Sequence, residues 1–158
     1  MGARVQANAF ANIGWSDLRL TPAGRRIFGD VPQVHAFNWH YESFAIPAHA
    51  TRTLYGEHCL NKGFVCGKHM AFQGHLEVTE EIVRGWCAAH RTELAEARGP
   101  AVQHETEILA CLPERVAAVR VAARSAYAAW LAPIHGSRTS RQVSSVTERT
   151  RPCHRHLA

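Results

Sequence analysis

Two segments of the chain place a histidine two residues before a glutamate, and these four side chains have the clearest chemical use. They are His40 with Glu42 and His75 with Glu77. Residues i and i+2 of a β-strand point to the same side, so a carboxylate at i+2 can accept a hydrogen bond from the imidazole at i. Such a carboxylate orients the imidazole and stabilises its protonated form, as a catalytic triad requires. About one pair is expected by chance in a chain with 11 histidines. Taken alone, each pair is better explained as a surface feature.

Cysteine is the other candidate for covalent chemistry, and the chain has five: Cys59, Cys66, Cys87, Cys111 and Cys153. A tight turn that exposes a thiol relies on glycine neighbours, and of the five only Cys66 has one, at the next position. The number is odd and no C-x-x-C pair occurs. These features argue against a disulfide framework or a zinc ribbon and favour a reducing compartment.

Composition places the chain among soluble globular domains. Its 158 residues are 46% hydrophobic and 20% charged, which suits a single domain. No apolar run approaches the length of a membrane span, and the first ten residues resemble neither a secretory signal nor a transit peptide. We therefore expect a cytoplasmic protein that does not bind membranes.

Positive charge is concentrated at the C-terminal end. Residues 137–158 hold five arginines and one glutamate, so five minus one gives +4 of the net +5. A basic tail can bind nucleic acid, but no aromatic side chain is interleaved here to stack on bases. Cys153, His154 and His156 are too few for a zinc site without a fourth ligand and a folded frame. We predict a folded domain over 1–135, a basic disordered tail over 136–158, and neither metal nor cofactor.

The first half of the chain predicts strands and the second half predicts helices, which indicates an α/β or α+β domain. Strands are expected over 3–5, 13–20, 34–39, 50–55, 63–66 and 69–73, with a short helix over 23–28 that Thr21 and Pro22 begin. From Thr79, an N-cap, a helix is expected to run to about residue 99. A second helical stretch over 104–131 contains Pro113, which should kink or split it. Its stripe of Val116, Val119, Ala123, Tyr127 and Trp130, together with Trp86, is expected to lie in the core.

Four segments follow one another along the chain: NIGW at 12–15, NWHYESFAIP at 38–47, NKGF at 61–64 and AFQGHLEVT at 71–79. Together they resemble motifs of class I glutamine amidotransferases. Residues 71–79, AFQGHLEVT, resemble the segment in which a strand ends in the catalytic histidine and glutamate and a helix follows. Residues 38–47, NWHYESFAIP, resemble the family's W-H-x-D/E-x-F-x-L/I-P pattern. Residues 61–64, NKGF, match N-x-x-F, and residues 12–15, NIGW, resemble the E-I-G-W strand that follows the nucleophile's helix.

The resemblance covers about residues 2–131 and implies a fold and a reaction. The fold would be the C-terminal portion of a flavodoxin-like, three-layer α/β domain with a mainly parallel sheet, incomplete at its N-terminus. In the family's reaction a cysteine thiolate attacks the side-chain amide of glutamine, histidine transfers the proton, and glutamate orients the histidine. His75 would be the general acid/base and Glu77 its orienting partner. His40, Tyr41 and Glu42 would form a turn beside the bound substrate.

The partners implied are glutamine, or a related γ-glutamyl amide, and a separate synthetase that accepts the ammonia. The family's nucleophile lies in a G-x-C-x-G turn, which this sequence lacks. Residues 1–5, MGARV, align with the end of the helix after that turn, so the cysteine would fall just upstream of residue 1. Gly74 stands where many members carry a bulky aromatic residue, and Glu42 replaces a commoner aspartate.

We therefore expect the chain alone to lack glutaminase activity and to be poorly soluble, partly unfolded or oligomeric. Two alternatives stay open. The first is a non-catalytic protein that keeps the fold for protein interaction. The second is a basic nucleic-acid accessory protein that acts through its tail.

Overall fold

The structure of the chain, a computed structural model, describes residues 1–140 and the side chains of residues 1–133. The elements in chain order are β1 (Val5–Leu20), α1 (Pro22–Phe28), β2 (Gln33–Phe44), β3 (Thr51–Tyr55), β4 (Gly63–Cys66), β5 (His69–Phe72), α2 (Glu80–Ala89), α3 (Arg91–Glu96), α4 (Glu105–Leu109) and α5 (Leu112–Ser140).

The five strands form one sheet in the order β2-β1-β3-β4-β5. β1 organises the sheet, because most of its length pairs with β2 while its last two residues pair with β3. Every ladder between these strands is antiparallel, whereas the resemblance implies a mainly parallel sheet. Short connections favour this arrangement, as where a turn at Gly67 and Lys68 returns β4 into β5. An isolated parallel bridge joins Ile13 to Val102.

β1 and β2 are longer than their sequence patterns predict. β1 runs unbroken from residue 5 to 20, although residues 5–10 are mostly exposed and none of them is buried. Pairing with the end of β2 keeps the start of β1 extended, as at Val5 opposite Phe44. β2 in turn continues through His40, Tyr41 and Glu42, so the turn expected there is wrong and these residues lie on a strand.

The predicted helix starts are confirmed, and both long helical stretches are divided. The Thr21 side chain accepts from Gly24 N at the start of α1, and that of Thr79 accepts from Ile82 N at the start of α2. The first long stretch breaks at His90, between α2 and α3. The second breaks near Cys111, whose φ is 51°, and Pro113 falls in the first turn of α5. The expected domain boundary at residues 135–136 lies within α5, and residues 141–158 are outside the described part of the chain.

A single core forms between the sheet and the helices that cover it. Its fully buried members include residues of β1, β2, β3, α2, α4 and α5: Ile13, Phe37, Leu54, Val83, Cys87, Ile108, Leu112 and Val119. The predicted stripe of α5 is confirmed for Val116, Val119 and Ala123. It is wrong for Tyr127 and Trp130, which are 53% and 48% exposed because they line a cavity beside β5 instead of the core. Burial of the apolar faces of these elements fixes the strand ends that carry the site.

The mixed α/β class predicted from the sequence is confirmed. Among the described helices, none combines the length and apolar character needed to cross a membrane.

Candidate active site

His75 and Glu77 lie on the segment that follows β5, which is attached to β2 at His75 and bends at Leu76 and Glu77. Leu76 and Val78 are buried, whereas His75 is half-buried and Glu77 is exposed. The His75 amide donates to Phe37 O at 2.7 Å, and the Phe37 amide donates to His75 O at 3.4 Å. These two bonds fix the position of the histidine against β2, an outer strand of the sheet.

The two side chains form the hydrogen bond that their spacing allows. His75 Nδ1 donates to Glu77 Oε1 at 2.7 Å. Burial acts to raise the pKa of Glu77, but hydrogen bonds from His75 and from nearby backbone amides outweigh it, and the pKa lies below its ordinary value. Glu77 is therefore ionised at neutral pH, and its bond to Nδ1 orients the imidazole and leaves Nε2 outside that bond.

An indole ring holds the other side of the imidazole. The His75 and Trp86 rings have centroids 4.9 Å apart and meet at 82°. Trp86 belongs to α2, and the helix starts at the Thr79 cap only two residues after Glu77. The cap therefore sets where the helix begins relative to the histidine.

His40 is held in one neutral form. Its Nδ1 donates to Glu42 O at 2.8 Å, which leaves Nε2 as the acceptor of a bond from Lys62 Nζ at 2.9 Å. Burial, followed by the Lys62 charge, lowers the pKa of His40 to about 4, and the nearby His75 contributes in the same direction. A histidine in this state is a poor general base near neutral pH.

Lys62 lies within the segment that matches the N-x-x-F pattern, and the sequence alone predicts no role for it in the site. It is 1% exposed, and its ammonium donates to Asn38 Oδ1 at 2.7 Å as well as to His40. Burial lowers its pKa to about 8. Nothing in the local sequence signals this burial, because an isolated lysine is normally solvated and its partners lie on β2, 22 and 24 residues away.

Tyr41 and Glu42 complete the predicted substrate-binding set, and the structure separates them. The Tyr41 hydroxyl donates to Glu93 Oε1 at 2.8 Å, on the side of β2 opposite to His40. Burial and that bond to Glu93 raise the pKa of Tyr41 to about 12. Glu42 is exposed and contributes its carbonyl, not its carboxylate. The register between β1 and β2 shifts between Ala7 and Asn12, and Tyr41 is the β2 residue opposite this irregularity.

His75 borders two cavities. One of about 480 Å³ lies between the β5 end and α5 and includes Gln73, Glu77, Ala123, Tyr127 and Trp130 in its lining. The other, of about 430 Å³, lies between β2 and the α2–α3 corner and is lined by Trp39, Tyr41, His75, Trp86, His90 and Glu93. Tyr41 thus shares a cavity with His75, whereas His40 faces the interior beside Lys62.

None of the four cysteines in the described residues lines either cavity. Cys59 and Cys87 are buried, and burial raises the pKa of the Cys87 thiol, which keeps it protonated. The fifth, Cys153, lies outside the described part of the chain. The same holds for His154 and His156, the other two tail residues considered as zinc ligands. Within residues 1–133, His, Cys, Asp and Glu side chains form no group of three that could hold a metal ion.

Comparison with solved structures connects this fold to known proteins. The chain superposes on a glutamine amidotransferase from Methylobacillus flagellatus with a TM-score of 0.79 and 32% identity, over 98% of this chain and 61% of that one. A glutamine amidotransferase from Thermotoga maritima matches with a TM-score of 0.71 and 24% identity, over 82% of this chain and 55% of that one, and so supports the fold alone. The chain thus spans less than two thirds of the length of either protein.

No family model matches the chain, and no curated protein matches it. The structural matches are nonetheless consistent with the motifs, and the chain is a glutamine amidotransferase-like domain of mixed α/β fold. The family resemblance drawn from the sequence is thereby confirmed.

Proposed function

We propose that this domain contributes the histidine and the glutamate of a class I glutamine amidotransferase site, with His75 as general acid/base and Glu77 as its orienting carboxylate. The observation that carries the proposal is the 2.7 Å bond from His75 Nδ1 to Glu77 Oε1 on a segment attached to β2. That bond leaves Nε2 to exchange a proton with a nucleophile.

The reaction would hydrolyse the amide of glutamine or of a related γ-glutamyl compound. A thiolate sulfur bonds to the amide carbon, the C–N bond breaks, and the imidazolium of His75 gives its proton to the departing ammonia or amine. Water then attacks the thioester, His75 takes up a proton from that water, and the C–S bond breaks to release glutamate. Ammonia would pass to a separate synthetase.

Tyr41 would act on binding directly and His40 indirectly, through the part of β2 that it fixes, and neither would transfer a proton. His40 is neutral and has both ring nitrogens engaged, by Glu42 O and by Lys62 Nζ. Tyr41 borders the cavity that His75 also lines. Glu42 would contribute through its carbonyl, which fixes the His40 ring.

The test supplies a nucleophile, because none of the four cysteines in the described residues lines a cavity that His75 borders. The strand, G-x-C-x-G turn and helix of a glutamine amidotransferase are fused ahead of residue 1, and ammonia release from glutamine is measured. We expect activity in the fusion and none in the chain alone. His75→Gln in the fusion should lower kcat by about 100- to 10,000-fold, the usual contribution of a general acid/base. Glu77→Gln should lower it less.

His40→Gln provides the contrast within the same fusion. It should raise KM more than it lowers kcat, because the ring contributes no proton. Loss of kcat in the His40 variant with full kcat in the His75 variant would reverse the roles. Ammonia release by the unmodified chain that His75→Gln abolishes would show that a thiol of this chain serves as the nucleophile.

A non-catalytic role in protein interaction is the second candidate. It is favoured by the lack of a thiol in either cavity among the described residues and by the exposed aromatic side chains of α5. An inactive fusion that nevertheless folds with an intact His75–Glu77 bond would support this candidate over the first.

A further inference from the structure

The cavity between β2 and the α2–α3 corner has a lining unlike that of an ordinary polar cleft. Of its six lining residues, three are the aromatic side chains Trp39, Tyr41 and Trp86, and one is the carboxylate Glu93. The remaining two are His75 and His90, so that neither a lysine nor an arginine lines it. Its volume of about 430 Å³ is within the range of small-molecule sites.

The carboxylate is held in place without being neutralised by a permanent cation. Glu93 Oε1 accepts from Trp39 Nε1 at 3.0 Å and from the Tyr41 hydroxyl at 2.8 Å, and both donors are uncharged. The other oxygen, Oε2, accepts from His90 Nδ1 at 3.0 Å. The hydrogen bond from Trp39 is the largest of the effects that lower the pKa of Glu93 below its ordinary value. The carboxylate is therefore ionised at neutral pH. The site thus carries a negative charge, which protonation of His90 would offset.

The rings around this charge also favour a cation. Trp39 and Trp86 meet edge to face, with centroids 6.2 Å apart at 85°, and the His90 ring lies 5.6 Å from Trp39. Indole faces attract ammonium groups through their quadrupole, and an adjacent carboxylate adds a Coulombic attraction. Aromatic walls with one carboxylate provide the combination that suits an organic ammonium group.

We propose that this cavity binds an alkylammonium group, and that the group belongs to the substrate. The His75 ring forms part of the wall, so a cation seated here lies beside the proposed reacting centre. The substrate would then be a γ-glutamyl amide whose leaving amine carries a second, charged nitrogen. The assignment to the substrate rests on the proposed function, whereas the binding of an ammonium group does not.

The experiment titrates the unmodified chain with n-butylammonium and with the neutral n-butanol, and follows the indole N–H signals by NMR. The Trp39 N–H, which donates to Glu93, should shift with n-butylammonium and not with n-butanol. The Trp15 N–H donates to Ile108 O in the core and serves as an internal reference that should not move. Glu93→Gln should weaken n-butylammonium binding by about tenfold, as expected for loss of a charge-assisted contact.

Glu96→Gln is the matched control, because it removes the same charge from an exposed position of the same helix. It should leave the affinity unchanged. Trp86→Leu gives a second variant that keeps Glu93 and should also weaken binding. Equal shifts with both probes, or full n-butylammonium affinity in Glu93→Gln and Trp86→Leu, would overturn the ammonium site. To test the assignment to the substrate, the fusion is also assayed with the γ-glutamyl amide of 1,4-diaminobutane, which it should hydrolyse with a lower KM than glutamine. Confirmed n-butylammonium binding together with a fusion that hydrolyses neither compound would leave the ammonium site standing, and would reject the proposed function and the assignment to the substrate.

Discussion

Lys62 is buried without a carboxylate partner in the described residues, and its ammonium donates to the neutral atoms Asn38 Oδ1 and His40 Nε2. A buried charge normally requires a counter-ion or good hydrogen bonds, and here the amide and the imidazole supply the bonds. Asn38 is itself 0% exposed and donates to Ser16 Oγ at 2.8 Å. The network therefore fixes the tautomer of His40 and its orientation on β2.

Replacing Lys62 tests this network through its effect on the pKa of His40. In Lys62→Met the pKa of His40 should rise above about 4, because one of its two main lowering causes is gone, yet stay below 6.5 because burial remains. NMR titration of the His40 ring protons measures it. Lys68→Met, which removes an exposed lysine, is the control and should leave the His40 curve in place. An unchanged curve in Lys62→Met would show that burial alone sets the value.

The same histidine makes stability depend on pH in a defined direction. His40 has a pKa of about 4 in the folded chain and an ordinary value of 6.5 when unfolded. Between these values the unfolded chain binds more protons, so the free energy of unfolding should fall as pH is lowered from 6.5 toward 4. Urea unfolding across this range measures the slope, and His40→Gln should flatten it. Glu77 and Glu93, whose pKa values are lowered, add a further loss only below their ordinary value of 4.5.

The segment that carries His75 approaches β2 so closely that Gly74 has no room for a side chain. A Cβ added to Gly74 would lie 2.9 Å from the Ala36 Cβ. Gly74→Ala should therefore reduce the free energy of unfolding by about 1 to 3 kcal/mol, as overpacking usually does. Urea denaturation measures the loss, and NMR of His75 should show that the ring is displaced.

Gly85→Ala is the matched control on α2. No atom lies within 4 Å of a Cβ added at this exposed helical position. It should stabilise the chain by about 1 kcal/mol, since alanine favours a helix over glycine. Equal effects of the two substitutions would show that the contact between the His75 segment and β2 is looser than described.

Elements whose signals are local could be predicted from the sequence, and those that depend on distant pairing could not. Thr21 and Thr79 mark the starts of α1 and α2 because a cap bonds to an amide three residues away. The first half of β1 has only a weak local signal, because its alternating side chains stay mostly exposed, and its pairing with β2 keeps it extended. The His75–Glu77 bond followed from spacing, whereas the burial of Lys62 and the contacts of Glu93 depend on the tertiary fold.

At the scale of the whole molecule, apolar surface is exposed on α5. Tyr127, Trp130 and Leu131 are among the exposed large side chains, and helical periodicity places them on one side of the helix. β2 and β5 are the outer strands of the sheet in the described residues. Exposed apolar surface and open strand edges both promote association.

We therefore expect the chain to self-associate as its concentration rises, as sedimentation velocity would show. Tyr127→Lys should weaken the association by placing a charge on that side of α5. Val121→Lys, at an exposed position on a different side of the helix, should weaken it less. A monomer at all concentrations, with a sharp cooperative thermal transition, would contradict this prediction.

The reciprocal hydrogen bonds between His75 and Phe37 also allow hydrogen exchange to measure how often the His75 segment leaves β2. A backbone amide exchanges its proton for deuterium only when its hydrogen bond opens, and such openings occur locally as well as globally. The His75 amide is protected only while its segment is attached to β2, since its bond is to Phe37 O. Its exchange rate, compared with that of a core amide of β1, therefore reports the fraction of time that the histidine is in position. No substrate or nucleophile is needed for that measurement.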